Sequence, residues 1–268
     1  MGRCGQMSDR LSGRHALITG GAGSMGSATA RLYASEGASV CVADVDLVRA
    51  QALATELLEL GNPALGVELD VRDSTQWQRA VTAAETHFDQ PVDILCHLAG
   101  ANFRVSFDEQ TEQMWRDILD ANLTANFLGT KAVVAGMRRA GRGVILHVGS
   151  LGSIRQGAGS PAYGVSKAGL VALTRSTAAS YAADNIRCIL ISPGHVDTNF
   201  LRGNDDHSPN DWTTSIENPD NYERRRQATP LGRLCTPDDV ARTFLFAASD
   251  DASMITGSMI TVDGGAGI

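Results

Sequence analysis

Short runs of consecutive apolar residues punctuate this chain. They fall at Ala16–Thr19, Val40–Ala43, Ile94–Leu98, Val144–Val148, Ile186–Ile191 and Met259–Val262, with a weaker run at Ala64–Glu68. Runs of this length without polar alternation predict strands buried on both faces. Between them the apolar positions recur at helical spacing, over Met25–Glu36, Val48–Leu60, Thr75–Phe88, Glu112–Arg139, Ala162–Ala183 and Pro237–Ala248. Strand and helix therefore alternate. The pattern predicts an α/β fold of the Rossmann-like, doubly wound kind: a parallel sheet of about seven strands with helices on both faces. Ligands of such sheets bind at the carboxyl ends of the strands.

One stretch departs from the alternation. Asn199–Thr229 is rich in Asn, Asp, Ser, Pro and Thr and contains Arg224, Arg225 and Arg226 in succession. A connection of that length inside one domain predicts a substrate lid, spanning about 195–230. The three arginines read as a solvated helix face. Residues 1–13 are polar and glycine-bearing and read as a flexible lead-in. Residues 14–268 then form a single domain for dinucleotide binding and catalysis.

Composition narrows the function. Of 268 residues, 43% are apolar and 20% charged, which suits a folded domain. A formal net charge of −7 argues against nucleic acid or an anionic membrane surface as partner. The cysteines at 4, 41, 96, 188 and 235 are odd in number and lack a CxxC pair. That pattern fits reduced thiols and a cytoplasmic enzyme better than disulfides or zinc. Nor do His97, His147 and His195 carry a ligand spacing, so no metal is expected. His195, which opens the lid, is a candidate substrate contact. Only two lysines occur, Lys131 and Lys167, against 21 arginines.

The first strand runs into Thr19-Gly20-Gly21-Ala22-Gly23-Ser24-Met25-Gly26 and then a helix. Glycines let the backbone approach a pyrophosphate that the helix N-terminus stabilises. Two registers fit, Gly21-x-Gly23-x-x-Gly26 and Gly20-x-x-x-Ser24-x-Gly26. Asp44 ends the second strand, 18 residues past Gly26, where a carboxylate would bind the adenosine ribose hydroxyls and repel a 2′-phosphate. The first basic residue after it is Arg49. NAD is therefore expected over NADP.

Tyr163-Gly164-Val165-Ser166-Lys167 places a phenol and an ammonium on one helix face. The lysine charge would lower the phenol pKa from about 10 towards the working range. With Ser150 13 residues before the tyrosine, this resembles the short-chain dehydrogenase/reductase family, in its single-domain branch. Leu69-Asp70-Val71, Leu98-Ala99-Gly100, Asn122, Pro193–Thr198 and the Val262–Gly265 ending are similar to family segments in the same order. The resemblance implies Tyr163 as acid/base with Lys167, Ser150 bonding the substrate oxygen, and Asn122 holding a relay water. It also implies cofactor contacts from Gly20, Ser24, Met25, Gly26, Asp44, Ala99, Gly100, Tyr163 and Lys167. Asp70 and Val71 would face the adenine, and Val196 and Thr198 the nicotinamide carboxamide. Ser150, Tyr163 and His195 would meet the substrate.

The expected reaction is reversible hydride transfer between NAD and a secondary alcohol such as a polyol, sugar derivative or cyclic alcohol. The resemblance also implies a homotetramer, or a homodimer. An NADP-linked ketoreductase on acyl-carrier substrates is the alternative among enzymes. Enoyl reduction fits less well, because its tyrosine and lysine are spaced wider. A non-catalytic dinucleotide sensor is the alternative outside enzymes, and the intact Asn122, Ser150, Tyr163 and Lys167 argue against it. Two departures stand out. His97 and Leu98 occupy the family's usual asparagine pair, so the strand must be tied to its neighbour by another network. Ser24 replaces a glycine and adds a hydroxyl near the phosphates.

Overall fold

The computed structural model describes residues 9–155, 157, 159–203 and 206–268. Seven strands are all parallel: β1 His15–Thr19, β2 Ser39–Asp44, β3 Ala64–Glu68, β4 Ile94–His97, β5 Gly143–Val148, β6 Ile186–Pro193 and β7 Met259–Val262. Their order across the sheet is β3-β2-β1-β4-β5-β6-β7. The order reverses between β1 and β4, whose register pairs Thr19 with His97. A cleft opens beyond the carboxyl ends of strands at such a reversal.

Successive strand residues feed opposite layers. Ile18, Val42, Cys96 and Leu146 pack on one face with α1 (Ser24–Ser35), α2 (Leu47–Glu59) and α9 (Pro237–Ala248). Leu17, Cys41, Leu95 and Ile145 pack on the other with α3 (Ser74–Phe88), α5 (Ala125–Ala140) and α6 (Pro161–Tyr181). Both faces are covered, which is why the strands read as continuous apolar runs.

The expected single helix Glu112–Arg139 is not continuous. α4 (Glu112–Leu119) gives way to a π-helical turn at Asp120–Thr124, after which α5 begins. The turn adds a residue without spoiling the apolar period, so the pattern hides it; such turns recur at functional sites. The lid region is also more regular than its composition suggests, with α7 (Asn199–Arg202) and α8 (Pro219–Gln227).

The expected lead-in partly lies outside the described residues, as 1–8. From Asp9 the chain is docked rather than free. Leu11 is fully buried, and Arg10 bonds Glu36 at 2.6 Å. Burial of one leucine and a two-point ion pair hold this stretch against α1. At the amino end of the sheet, buried Asp93 pairs with Arg14 at 2.6 Å and Arg142 at 2.7 Å. The opposite, carboxyl end is left for the site.

Candidate active site

A cavity of about 740 Å³ runs along the carboxyl ends of β1, β2, β4, β5 and β6. Its floor is the turn after β1. Gly20 sits at φ +59°, and a Cβ there would lie 2.8 Å from the Ala99 backbone. A Cβ on Gly26 would collide with the Gly20 carbonyl. The turn therefore packs as tightly as only glycine permits. It leads into α1, whose N-cap Gly23 makes no side-chain bond and whose first turn holds no acid. Its N-terminal N–H groups, with Ser24 and Met25 on the cavity wall, suit a pyrophosphate. The residues present thus fit a dinucleotide.

At one end Asp44 accepts from the N–H groups of Ala22 at 3.0 Å and Asp46 at 3.1 Å. These bonds fix the carboxylate at the rim. Arg49, one helical turn into α2, donates to the Ala22 carbonyl at 2.7 Å and also lines the cavity. Arg49, in sequence only the first basic residue after Asp44, is returned by the fold to the glycine turn beside it. Asp70 and Val71 line the same end. Asp70 is bound by Arg72, which holds its carboxyl below the usual range, and Val71 is anchored by the Trp77 indole at 2.9 Å.

Ala99 and Gly100 follow β4. The network predicted to differ there is supplied by Thr19, whose Oγ1 accepts from the N–H groups of Leu98 at 3.2 Å and Ala99 at 3.3 Å. His97 points away from the cavity, into the layer between sheet and helices. Its ring lies 5.2 Å from that of His147 and 5.5 Å from that of Trp77. His147 Nδ1 meets Thr174 Oγ1 at 3.0 Å, and Nε2 of each histidine has no hydrogen-bond partner among the described residues. Burial pushes His97 well below its ordinary pKa and His147 to about 3. Both are structural, and neither faces substrate. No group of three or more potential metal ligands occurs among the described residues.

Ser150, Tyr163 and Lys167 converge on the middle of the cavity. Ser150 follows β5 and caps a 3₁₀ turn at Leu151–Ser153, its Oγ accepting from Gly152 N at 3.2 Å. α6 carries the other two. Lys167 is 3% exposed, and its Nζ donates to the Val148 carbonyl at 2.9 Å while lying 5.6 Å from the Tyr163 ring centroid. Burial lowers its pKa to about 8. The Tyr163 phenol moves the other way. Burial raises it, opposed by the facing Ser150 hydroxyl and the Arg104 charge. The phenol thus stands above its ordinary value, where a lowering was expected.

Asn122 lies in the π-helical turn, fully buried behind the cavity wall rather than on it. Its side chain exchanges two bonds of 2.8 Å with the backbone of Ala101 and donates to Ser166 Oγ at 3.2 Å. Its carbonyl accepts from Asn126 at 2.8 Å. Asn122 therefore fastens the turn after β4 to α6. Beyond β6, Val196 and Thr198 are buried on the wall, and His195 lines it beside α8, its pKa lowered to about 4 by burial and by Arg225 and Arg224.

Sequence reasoning did not single out Arg104 and Phe200, and read Arg225 as solvated; all three complete the cavity wall at the 195–230 segment. Arg104 donates to Phe200 O and Ser208 Oγ, each at 2.9 Å, and so ties the lid to the loop after β4. Local sequence carried no sign of Arg104. For Arg225 a sign existed: three successive arginines on a helix point in different directions.

The profile of a family described as Enoyl-(Acyl carrier protein) reductase matches residues 20–267. A 2,5-dichloro-2,5-cyclohexadiene-1,4-diol dehydrogenase of Sphingobium indicum is 33% identical, covering 97% of this chain and 98% of its own. The cis-4-hydroxycyclohexanecarboxylate dehydrogenase of Sinomonas cyclohexanicum is 36% identical over the same shares. A solved chain from Beutenbergia cavernae, described as a candidate NAD(P)-dependent gluconate 5-dehydrogenase with NADP at low occupancy, superposes with a TM-score of 0.86. It is 28% identical and covers 96% of this chain and 98% of its own.

Proposed function

The chain belongs to the short-chain dehydrogenase/reductase family and is an oxidoreductase acting on secondary alcohols; on that premise we propose NAD-dependent, reversible conversion of a ring-borne alcohol to its ketone, with Tyr163 as acid/base. The observation that carries this reading is that Ser150, Tyr163 and Lys167 share one cavity with the glycine turn.

The nicotinamide, when bound, supplies an acceptor for the hydride that leaves the carbinol carbon, and a positive charge. The protein does the rest. Ser150 orients the alcohol oxygen through its hydroxyl. Tyr163, as phenolate, takes the alcohol proton while the carbonyl forms; in reduction it returns that proton to the oxygen. Lys167, whose ammonium lies 5.6 Å from the Tyr163 ring centroid, would hold the ribose hydroxyls and stabilise the phenolate. Asn122 holds the wall behind Lys167 in register, and its backbone carbonyl, which accepts from Asn126, keeps a second lone pair that a relay water could use.

Asp44 supports NAD over NADP, since its carboxylate is fixed at the ribose end by two backbone bonds. Arg49 is turned onto the Ala22 carbonyl. Adenine contact by Asp70 and Val71, and carboxamide contact by Val196 and Thr198, are implied by the family resemblance and supported by their places on the wall. Cyclic alcohols are favoured over open polyols by the named activities of two relatives and by apolar wall residues such as Phe103 and Leu201. Phe127 on α5 and Val165 on α6 are 47% and 46% exposed, and support a homotetramer or homodimer built on those helices. A panel of cyclic alcohols, sugars and polyols read by NADH absorbance tests the reading; turnover with NADP but not NAD contradicts the cofactor assignment.

A further inference from the structure

Under the lid, beyond Tyr163, the cavity is lined by Arg225 next to His195. The three arginines of α8 have separate fates. Arg224 is exposed, and Arg226 is bound to Glu223 through bonds of 2.6 and 2.7 Å. Arg225 is partly buried and turned to the cavity. It reaches only the carbonyls of Asn221 and Thr214, each at 3.4 Å, and makes no ion pair among the described residues. Nearby Arg202 is matched by Asp197 at 2.6 Å, so the lid can pair an arginine where pairing is wanted. Burial and the charge of Arg224 both act against the Arg225 cation.

A partly desolvated guanidinium without an anion is costly, and its planar fork matches a carboxylate better than any other side chain does. The same end of the cavity feels the charge of Arg104, which also acts on Tyr163. Ala101, Phe103, Phe200 and Leu201 supply apolar wall between.

We propose that the substrate is a hydroxy acid: a secondary alcohol on an apolar, ring-sized frame whose carboxylate is taken by Arg225 while the carbinol meets Tyr163. This rests on the secondary-alcohol reading of the same site. Arg225 is a binding residue here and takes no part in the proton or hydride steps.

The test is calorimetric binding to NAD-saturated protein of cyclohexanecarboxylate and of its uncharged methyl ester. The acid is expected to bind at least tenfold more tightly than the ester. Arg225→Gln brings the two within twofold, and Arg224→Gln on the same helix keeps the wild-type ratio. Equal affinities in the wild type, which needs no variant to fold, overturn the proposal. So does an unchanged ratio in Arg225→Gln. If that variant instead loses NAD affinity while keeping the ratio, Arg225 serves the cofactor phosphates and the proposal is wrong. Because binding is read without turnover, the two readings fail separately. Neutral alcohols oxidised with no carboxylate preference defeat only this inference. A carboxylate preference with no alcohol oxidised defeats the assigned reaction, and with it the carbinol half of this proposal.

Discussion

Thr19 Oγ1, at the end of β1, accepts the backbone N–H of Leu98 at 3.2 Å, across the strand pair where the cleft opens. It accepts from Ala99 N as well, at 3.3 Å. One fully buried hydroxyl on the neighbouring strand thus satisfies two buried donors that Leu98 itself cannot reach. Thr19→Val keeps the shape and removes the acceptor. Leaving buried N–H groups unpaired costs about 1–3 kcal/mol. Urea unfolding should show that loss, together with weaker cofactor binding, because Gly20 packs directly on Ala99. A midpoint equal to wild type contradicts the assignment.

The histidine pair beneath the site makes stability depend on pH. His97 and His147 are buried and neutral, with His147 held at about 3. The unfolded chain takes up protons on these rings near pH 6.5, whereas the folded chain does not until much lower. Their contribution is therefore complete above pH 6.5 and is lost as pH falls towards about 3. Between pH 6.5 and 4.5, before most carboxylates titrate, the unfolding free energy should drop by up to about 1.4 kcal/mol per pH unit for each ring. His147→Gln should flatten the slope. A wild-type stability that is level over this window contradicts the account.

Asp93 offers a contrast at the far end of the sheet. It is 1% exposed and holds Arg14, itself buried, at 2.6 Å. Asp93→Asn strands that guanidinium and should cost about 3–5 kcal/mol in urea unfolding. Cofactor affinity below the melting range should stay at the wild-type value, since no part of the cavity touches Asp93. A loss below 1 kcal/mol, or a change in cofactor affinity, counts against the separation of the two ends.

On the proposed reading, cofactor choice turns on Asp44 and Arg49. Asp44→Ala removes the carboxylate that repels a 2′-phosphate and leaves Arg49 free to meet one. The ratio of NADP to NAD affinity should rise at least tenfold by fluorescence titration, and Asp44→Ala with Arg49→Gln should lose that gain. An unchanged ratio in the single variant shows that neither residue sets the preference.

What could be read from sequence follows from where information is local. The inner strands were legible because both sheet faces are buried there and each is largely an apolar run, while the edge strand β3, only partly buried and carrying Gly66 and Glu68, gave the weaker run. Tyr163, Lys167 and Ser150 were legible because spacing along one helix and one loop fixes their relation. The π-helical turn at Asp120–Thr124 was not, since a change of backbone hydrogen-bond register leaves no mark on the apolar pattern. α8 was hidden too. It is polar on nearly every face and owes its place to Asn221, whose amide bonds the carbonyls of Thr213 and Ser215 at 2.8 and 3.0 Å. Arg49 and Arg104 reach the site through tertiary packing that no spacing encodes. The direction of the Tyr163 shift was not legible either, because burial of the phenol is a property of the fold and not of the spacing.

The central claim is that Tyr163 moves the alcohol proton. Tyr163→Phe keeps the ring packing and removes only the phenol oxygen. With NAD and the best alcohol from the panel, kcat should fall by about 10²–10⁴ while the NAD dissociation constant stays within twofold. Turnover at the wild-type rate in Tyr163→Phe contradicts the mechanism.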